Sequence, residues 1–183
     1  RDAAAWPGEV PAMADATISV NVSARQLVHP HFVGDLDAAL ADSGLAAHRL
    51  ILEITESALI SEPDAAMDTL HAVRARGVQL ALDDFGTGYS SLSYVQRIPA
   101  TILKIDKSFV DPITGPGAGT ALTEVVVKLA EATGLRTVAE GVESPGQADA
   151  LRLLGCHRGQ GYVWSRPVPQ SELHAVTTAA MRR

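Results

Sequence analysis

The sequence has 183 residues, of which 46% are hydrophobic and 20% charged, and its formal net charge is -6. This length suits one domain with a substantial core rather than two. The acidic balance argues against non-specific binding to a nucleic acid polymer, which needs basic patches, and no apolar run approaches the roughly 18 residues of a membrane span.

No signal peptide opens the chain, and it begins at Arg1 rather than Met, so the natural N-terminus is expected upstream. Cys156 is the single cysteine, which excludes an internal disulfide and a Cys-rich zinc site. It reads as a small buried hydrophobe and fits a reducing, cytoplasmic compartment.

In chain order, the first predicted strand is Ile18–Val22. Phe32–Ser43 follows as an amphipathic helix with apolar residues at Phe32, Val33, Leu36, Ala39 and Leu40, stopped by Gly44. Leu50–Thr55 is the second strand, and its continuous Leu50-Ile51-Leu52 run suits a strand buried on both faces. A helix over Ala65–Arg76 ends at Gly77, and a third strand spans Val78–Asp83. The fourth strand is Thr101–Ile105. The segment from Gly115 to Gly119 is rich in glycine but lacks the Gly-Lys-Ser/Thr ending of a phosphate loop, so it reads as a turn into the helix Ala121–Thr133. Arg136–Ala139 is a strand, Gln147–Leu154 a helix, and Gly159–Val163 a weaker sixth strand. A last helix is predicted over Gln170–Met181, started by Ser171 or Pro169. Strands alternating with helices imply a parallel sheet in an α/β fold. Periodicity leaves two architectures open, a doubly wound sheet and a (β/α)₈ barrel missing two units.

Polar residues concentrate where these strands end. Asn21 ends the first, with Ser23 beyond. Glu53 and Glu56 lie at the end of the second, Asp83 and Asp84 at the third, Lys104 and Asp106 at the fourth, Glu140 and Glu143 at the fifth, and Gln160 in the sixth. In a parallel barrel all of these face one mouth, where active sites draw on the ends of several strands. Glu53, Asp83, Asp84 and Glu140 would then bring like charges together, and a divalent cation resolves that conflict. All-oxygen donors favour Mg²⁺ or Mn²⁺ over zinc, and two metals about 3.5–4 Å apart would clamp the oxygens of a phosphate ester. His29 and His31 lie in a loop before a helix and read as surface or cap residues. After Asp84 comes Phe85, Gly86, Thr87, Gly88, Tyr89, Ser90 and Ser91, a loop whose glycines permit close backbone approach. Beside the acidic pair it reads as a lid or dimer-contact loop. Asp84-Phe85-Gly86 also imitates a kinase triplet, but no other kinase motif accompanies it.

These residues resemble the EAL family. Val20-Asn21-Val22-Ser23 is similar to its Val-Asn-Leu-Ser strand, and Glu53-Ile54-Thr55-Glu56 matches its Glu-x-Thr-Glu motif. Asp83 through Leu92 matches its Asp-Asp-Phe-Gly-x-Gly-x-Ser-Ser-Leu signature. Leu103-Lys104-Ile105-Asp106, Ala139-Glu140-Gly141-Val142-Glu143 and Gln160-Gly161-Tyr162 complete the series in order. The resemblance implies a modified TIM barrel that hydrolyses cyclic di-GMP to linear pGpG with two Mg²⁺ or Mn²⁺ ions. By similarity, Asn21, Glu53 and Asp83 would hold the first metal, and Asp83 and Asp84 would share or hold the second. Lys104 and Glu140 would position or activate the attacking water, Gln160 would support the site, and Glu56 would anchor the loop after Asp84. A homodimer through that loop, and an upstream sensor or diguanylate cyclase domain, are expected partners. Glu143 reads as structural.

Some features depart from the family. The Glu-Ala-Leu motif itself has no counterpart between Arg1 and Thr17, a stretch that instead resembles the helix before the Val-Asn-Leu-Ser strand. Two strands, one catalytic glutamate and a phosphate-binding arginine of the family are therefore absent from residues 1–183, which alone are expected to hydrolyse poorly or not at all. Thr101 replaces a frequent Asp and Ser144 a frequent Thr. The alternative is a non-catalytic EAL domain that binds cyclic di-GMP or a protein partner.

Overall fold

The computed structural model describes residues 15–55, 58, 63–86, 97–115 and 117–180. The helix expected before Thr17 falls largely outside them. The chain divides into two units, Arg1–Leu103 and Lys104–Arg183.

In the first unit, β1 (Ile18–Asn21) leads through two helices, α1 (Ala24–Leu27) and α2 (Phe32–Ser43), to β2 (Leu50–Thr55). Helix α3 (Pro63–Ala75) then returns the chain to β3 (Gln79–Phe85). The order β1-β2-β3 is parallel throughout. Every residue of β2 from Leu50 to Ile54 is buried, as its unbroken apolar run predicts for a strand covered on both faces. One face is covered by helices: α3 buries Ala66, Leu70 and Val73, while Leu80, Leu82 and Ile54 are buried in the sheet. Arg76 clamps α3 to α2 through a two-pronged contact with Asp37, its Nη2 lying 2.7 Å from Asp37 Oδ2. That guanidinium holds the Asp37 carboxyl below its ordinary range. Entry to β4 (Ile102–Ile105) is fixed in the same unit, because Thr101 N–H donates to Leu80 O at 3.0 Å.

In the second unit β4 leads into the single turn α4 (Lys107–Val110), which is capped by Asp106. Ser108 N–H donates to Asp106 Oδ1 at 2.9 Å. Ser108 holds the Asp106 carboxyl below the ordinary carboxylate range, its side chain contributing most and its backbone less. Helix α5 (Ala121–Ala132) precedes β5 (Arg136–Ala139), and α6 (Pro145–Leu153) precedes the short β6 (Arg158–Gly159). A 3₁₀ turn at Gln170–Glu172 opens α7 (Leu173–Ala180). The core here joins Val110, Ile113, Ala139, Val142, Ala150 and Leu151, with half-buried Cys156 packed against it.

The strands neighbour one another in chain order, as β1-β2-β3-β4 in the first unit and β4-β5-β6 in the second. A doubly wound sheet reverses its order about the first strand, and neither unit does. The predicted bounds of β2, β5 and α2 coincide with those found. Four strands differ. β1 stops at Asn21, β3 runs from Gln79 to Phe85, β4 begins at Ile102, and β6 lies earlier and is shorter than the predicted Gly159–Val163. The sixth strand stops because the chain turns at Gly161, where Trp164 N–H donates back to Gly161 O. No helix among the described residues is long and apolar enough to cross a membrane.

Candidate active site

Parallel register decides which strand-end residues share a face. Asn21 pairs with Glu53, and Glu53 with Ala81. Thr55 pairs with Asp83 two residues nearer the strand ends. Side chains alternate along a strand, and paired residues on neighbouring strands point the same way. Asn21, Glu53 and Asp83 therefore belong to one face of the β1-β2-β3 sheet. Glu53 and Asp83 are buried, at 8% and 9% exposure, whereas Asn21 is exposed.

Asp84 breaks the alternation. Its φ is 55°, and it is the one non-glycine residue with positive φ in the chain's described backbone. In a regular strand, adjacent side chains project to opposite faces. The left-handed residue instead brings the Asp83 and Asp84 carboxylates within 4.8 Å of each other. Asp84 N–H also donates to Asp83 Oδ1 at 3.1 Å. Aspartate tolerates this conformation better than most residues, but a left-handed residue still costs about 1–2 kcal/mol in general. Asp84→Val is therefore expected to lower stability by about that amount, while Asp84→Gly unfolds at or above the wild-type temperature. Thermal unfolding of the two variants reads the difference, and equal melting points would show that the backbone there carries no strain.

In the second unit, Lys104 Nζ lies 2.8 Å from Glu140 Oε1, with the lysine side chain 6% and the glutamate side chain 21% exposed. Their strands are joined at this level by Glu140 N–H donating to Ile105 O at 3.0 Å. Gln160 follows β6 directly. Its N–H donates to Ala139 O at 2.8 Å and its carbonyl accepts from Val142 N–H at 3.0 Å, so its backbone stays in the ladder beyond the assigned strand. That close lie needs Gly161, since a Cβ there would sit 2.1 Å from Val142 O and 2.3 Å from Val142 N. Glu143 pairs with Lys107 at 2.8 Å, in keeping with a structural role.

Phe85 is buried within β3 rather than in the following loop, and Gly86 turns the chain out with φ 93°. Glu56 and Thr87, Gly88, Tyr89, Ser90 and Ser91 lie outside the described residues. Sequence reasoning missed Gln147. Ser144-x-x-Gln147 has the spacing of a capping box, a pattern readable in advance, and both of its bonds are present.

The donors on the first unit's strand ends are an amide and carboxylates, with no sulfur or imidazole among them. This set suits a hard divalent cation such as Mg²⁺, Mn²⁺ or Ca²⁺.

Residues 1–167 match the family described as EAL domain. A relative from Pseudomonas aeruginosa, the bifunctional diguanylate cyclase/cyclic di-GMP phosphodiesterase MucR, is 41% identical over 162 residues, which is 88% of this chain and 24% of the relative. The PaMucR phosphodiesterase in complex with c-di-GMP has a TM-score of 0.85 at 39% identity, covering 94% of this chain and 69% of that one. The manganese and cyclic di-GMP complex of Klebsiella pneumoniae BlrP1 has a TM-score of 0.78 at 35% identity, covering 91% of this chain and 42% of that one. The chain thus spans about a quarter of the curated relative's length. Of the two architectures that periodicity leaves open, these matches select the TIM-barrel-like parallel α/β fold. The match over residues 1–167 establishes that this chain belongs to the EAL domain family.

Proposed function

We propose that the protein hydrolyses cyclic di-GMP to linear pGpG and that this chain supplies most of the catalytic site. The reading rests on the register that sets Asn21, Glu53 and Asp83 on one face of the sheet, with Asp84 folded back beside Asp83. Asn21, Glu53 and Asp83 would hold one divalent cation, and Asp83 and Asp84 the second. When bound, such ions offset negative charge on a phosphoryl group and lower the pKa of coordinated water.

The chain's own groups do the remaining work. Lys104 and Glu140, paired at 2.8 Å, orient the attacking water. The water oxygen forms a bond to phosphorus, the bond from phosphorus to the ribose 3′ oxygen breaks, and that oxygen leaves as a hydroxyl, taking up the proton that the water gives up. The phosphate stays on the 5′ oxygen, which gives pGpG. Gln160, held in the ladder next to Glu140, supports the mouth of the site. The loop after Asp84, with Glu56 as its anchor, forms the contact of a homodimer. A single domain comprises residues 1–183. These residues alone turn over slowly, because a barrel site draws on all its strands and the chain matches only 69% of the PaMucR structure.

The test is incubation of the full-length protein with cyclic di-GMP and Mg²⁺ or Mn²⁺, with products separated by chromatography. Linear pGpG is expected, and a chelator should stop its formation. Tight binding without turnover would replace this reading with that of a cyclic di-GMP receptor.

A further inference from the structure

Glu140 leaves β5 on a short connection, Gly141 to Ser144, before α6 begins. Two side chains hold that connection. The stem of Lys107 lies across Gly141, where an added Cβ would sit 2.5 Å from Lys107 Cγ. Lys107 Nζ then reaches both Asp111 and Glu143 at 2.8 Å. The second is Gln147, buried at 7% exposure. Its Oε1 accepts from Glu143 N–H at 2.8 Å and from Ser144 N–H at 3.0 Å. Its Nε2 donates to Val110 O at 3.3 Å.

An ordinary capping box accounts for only part of this. The reciprocal bonds between Ser144 and Gln147 satisfy the start of α6. The bonds to Glu143 and Val110 go further. They tie the connection that follows Glu140 to the end of α4, the turn that begins just after Lys104, Ile105 and Asp106. One buried amide thus joins the two segments whose side chains meet as Lys104 and Glu140. Outer groups of this kind fix the orientation of the groups that act on substrate.

We infer that Gln147 is a positioning residue that holds the Glu140 carboxylate against Lys104 during hydrolysis. The inference deepens the hydrolase reading and rests on it.

The experiment measures kcat and KM for cyclic di-GMP hydrolysis by the full-length protein with Mn²⁺. Gln147→Leu is expected to lower kcat about tenfold with little change in KM. In a Glu140→Asp background, where the carboxylate is already displaced, the same substitution should cost much less. Ser144→Ala removes the cap but leaves the Oε1 and Nε2 bonds, so its melting point should fall while kcat holds. Gln147→Glu keeps both bonds from the amides and loses the one to Val110, so its kcat should lie between wild type and the leucine variant. If the leucine variant does not fold, the glutamate variant carries the test in both backgrounds. A wild-type kcat in the Gln147 variants, a full loss repeated in the Glu140→Asp background, or an equal kcat loss in Ser144→Ala would each overturn the inference. Wild-type protein without turnover would instead reject the hydrolase reading itself.

Discussion

Asp83→Asn in the full-length protein is expected to abolish measurable hydrolysis of cyclic di-GMP while leaving much of its capture intact. Asp83 is the residue that both proposed cations share, it is buried, and its carboxylate lies within 4.8 Å of that of Asp84. Asparagine keeps the size and one oxygen donor but removes the charge. Electrostatic stabilisation by a bound cation is worth several kcal/mol in a phosphoryl transition state. Each 1.4 kcal/mol or so is tenfold in rate, so kcat should fall by about 10³-fold or more. Ligand binding, which draws on groups across the site, should weaken far less. Product formation and equilibrium binding measured side by side check this, with thermal unfolding as the control for folding. An unchanged kcat would remove the two-cation assignment.

A large loss of stability is expected from Gly161→Ala. The added methyl would lie 2.1 Å from Val142 O and 2.3 Å from Val142 N. Both are backbone atoms, so no side-chain rotation relieves the clash. The segments that follow β5 and β6 must move apart, breaking the bond from Val142 N–H to Gln160 O. Overpacking typically costs about 1–3 kcal/mol, and rigid backbone on the receiving side places this substitution at or above the upper figure. Urea denaturation should show the loss, and turnover should fall with it because Gln160 loses its register. A midpoint equal to that of wild type would mean that the Gly161 backbone lies elsewhere.

Much of the architecture was legible in the order of residues. The run Leu50-Ile51-Leu52 identified a strand covered on both faces, and all three residues are buried. The apolar spacing from Phe32 to Leu40, closed by Gly44, gave α2 its bounds, and Gly44 adopts the left-handed φ of 69° that such a stop requires. The sixth strand was placed too late. It ends where the chain turns at Gly161, which lies against Val142, and no local pattern encodes that meeting with a distant residue. Gln147 was missed for a related reason. Its link to Val110 spans 37 residues, although the adjacent Ser144-x-x-Gln147 spacing was there to be read.

By itself the sequence determined the order of the main strands and longer helices, though not the short α1 and α4, and that oxygen-bearing side chains fall at the strand ends. Apolar periodicity and glycine stops act over a few residues, so they can be read directly. Only the tertiary structure decided which of those side chains share a face. Parallel strands are joined by long crossovers rather than tight turns, so no local signal sets their register, and a shift of one residue would send every side chain to the opposite face. With α3 packed on β3, and α1 and α2 packed on α3, Asn21 lies opposite Glu53 and Thr55 opposite Asp83. The left-handed turn at Asp84 likewise emerges only once the chain is folded.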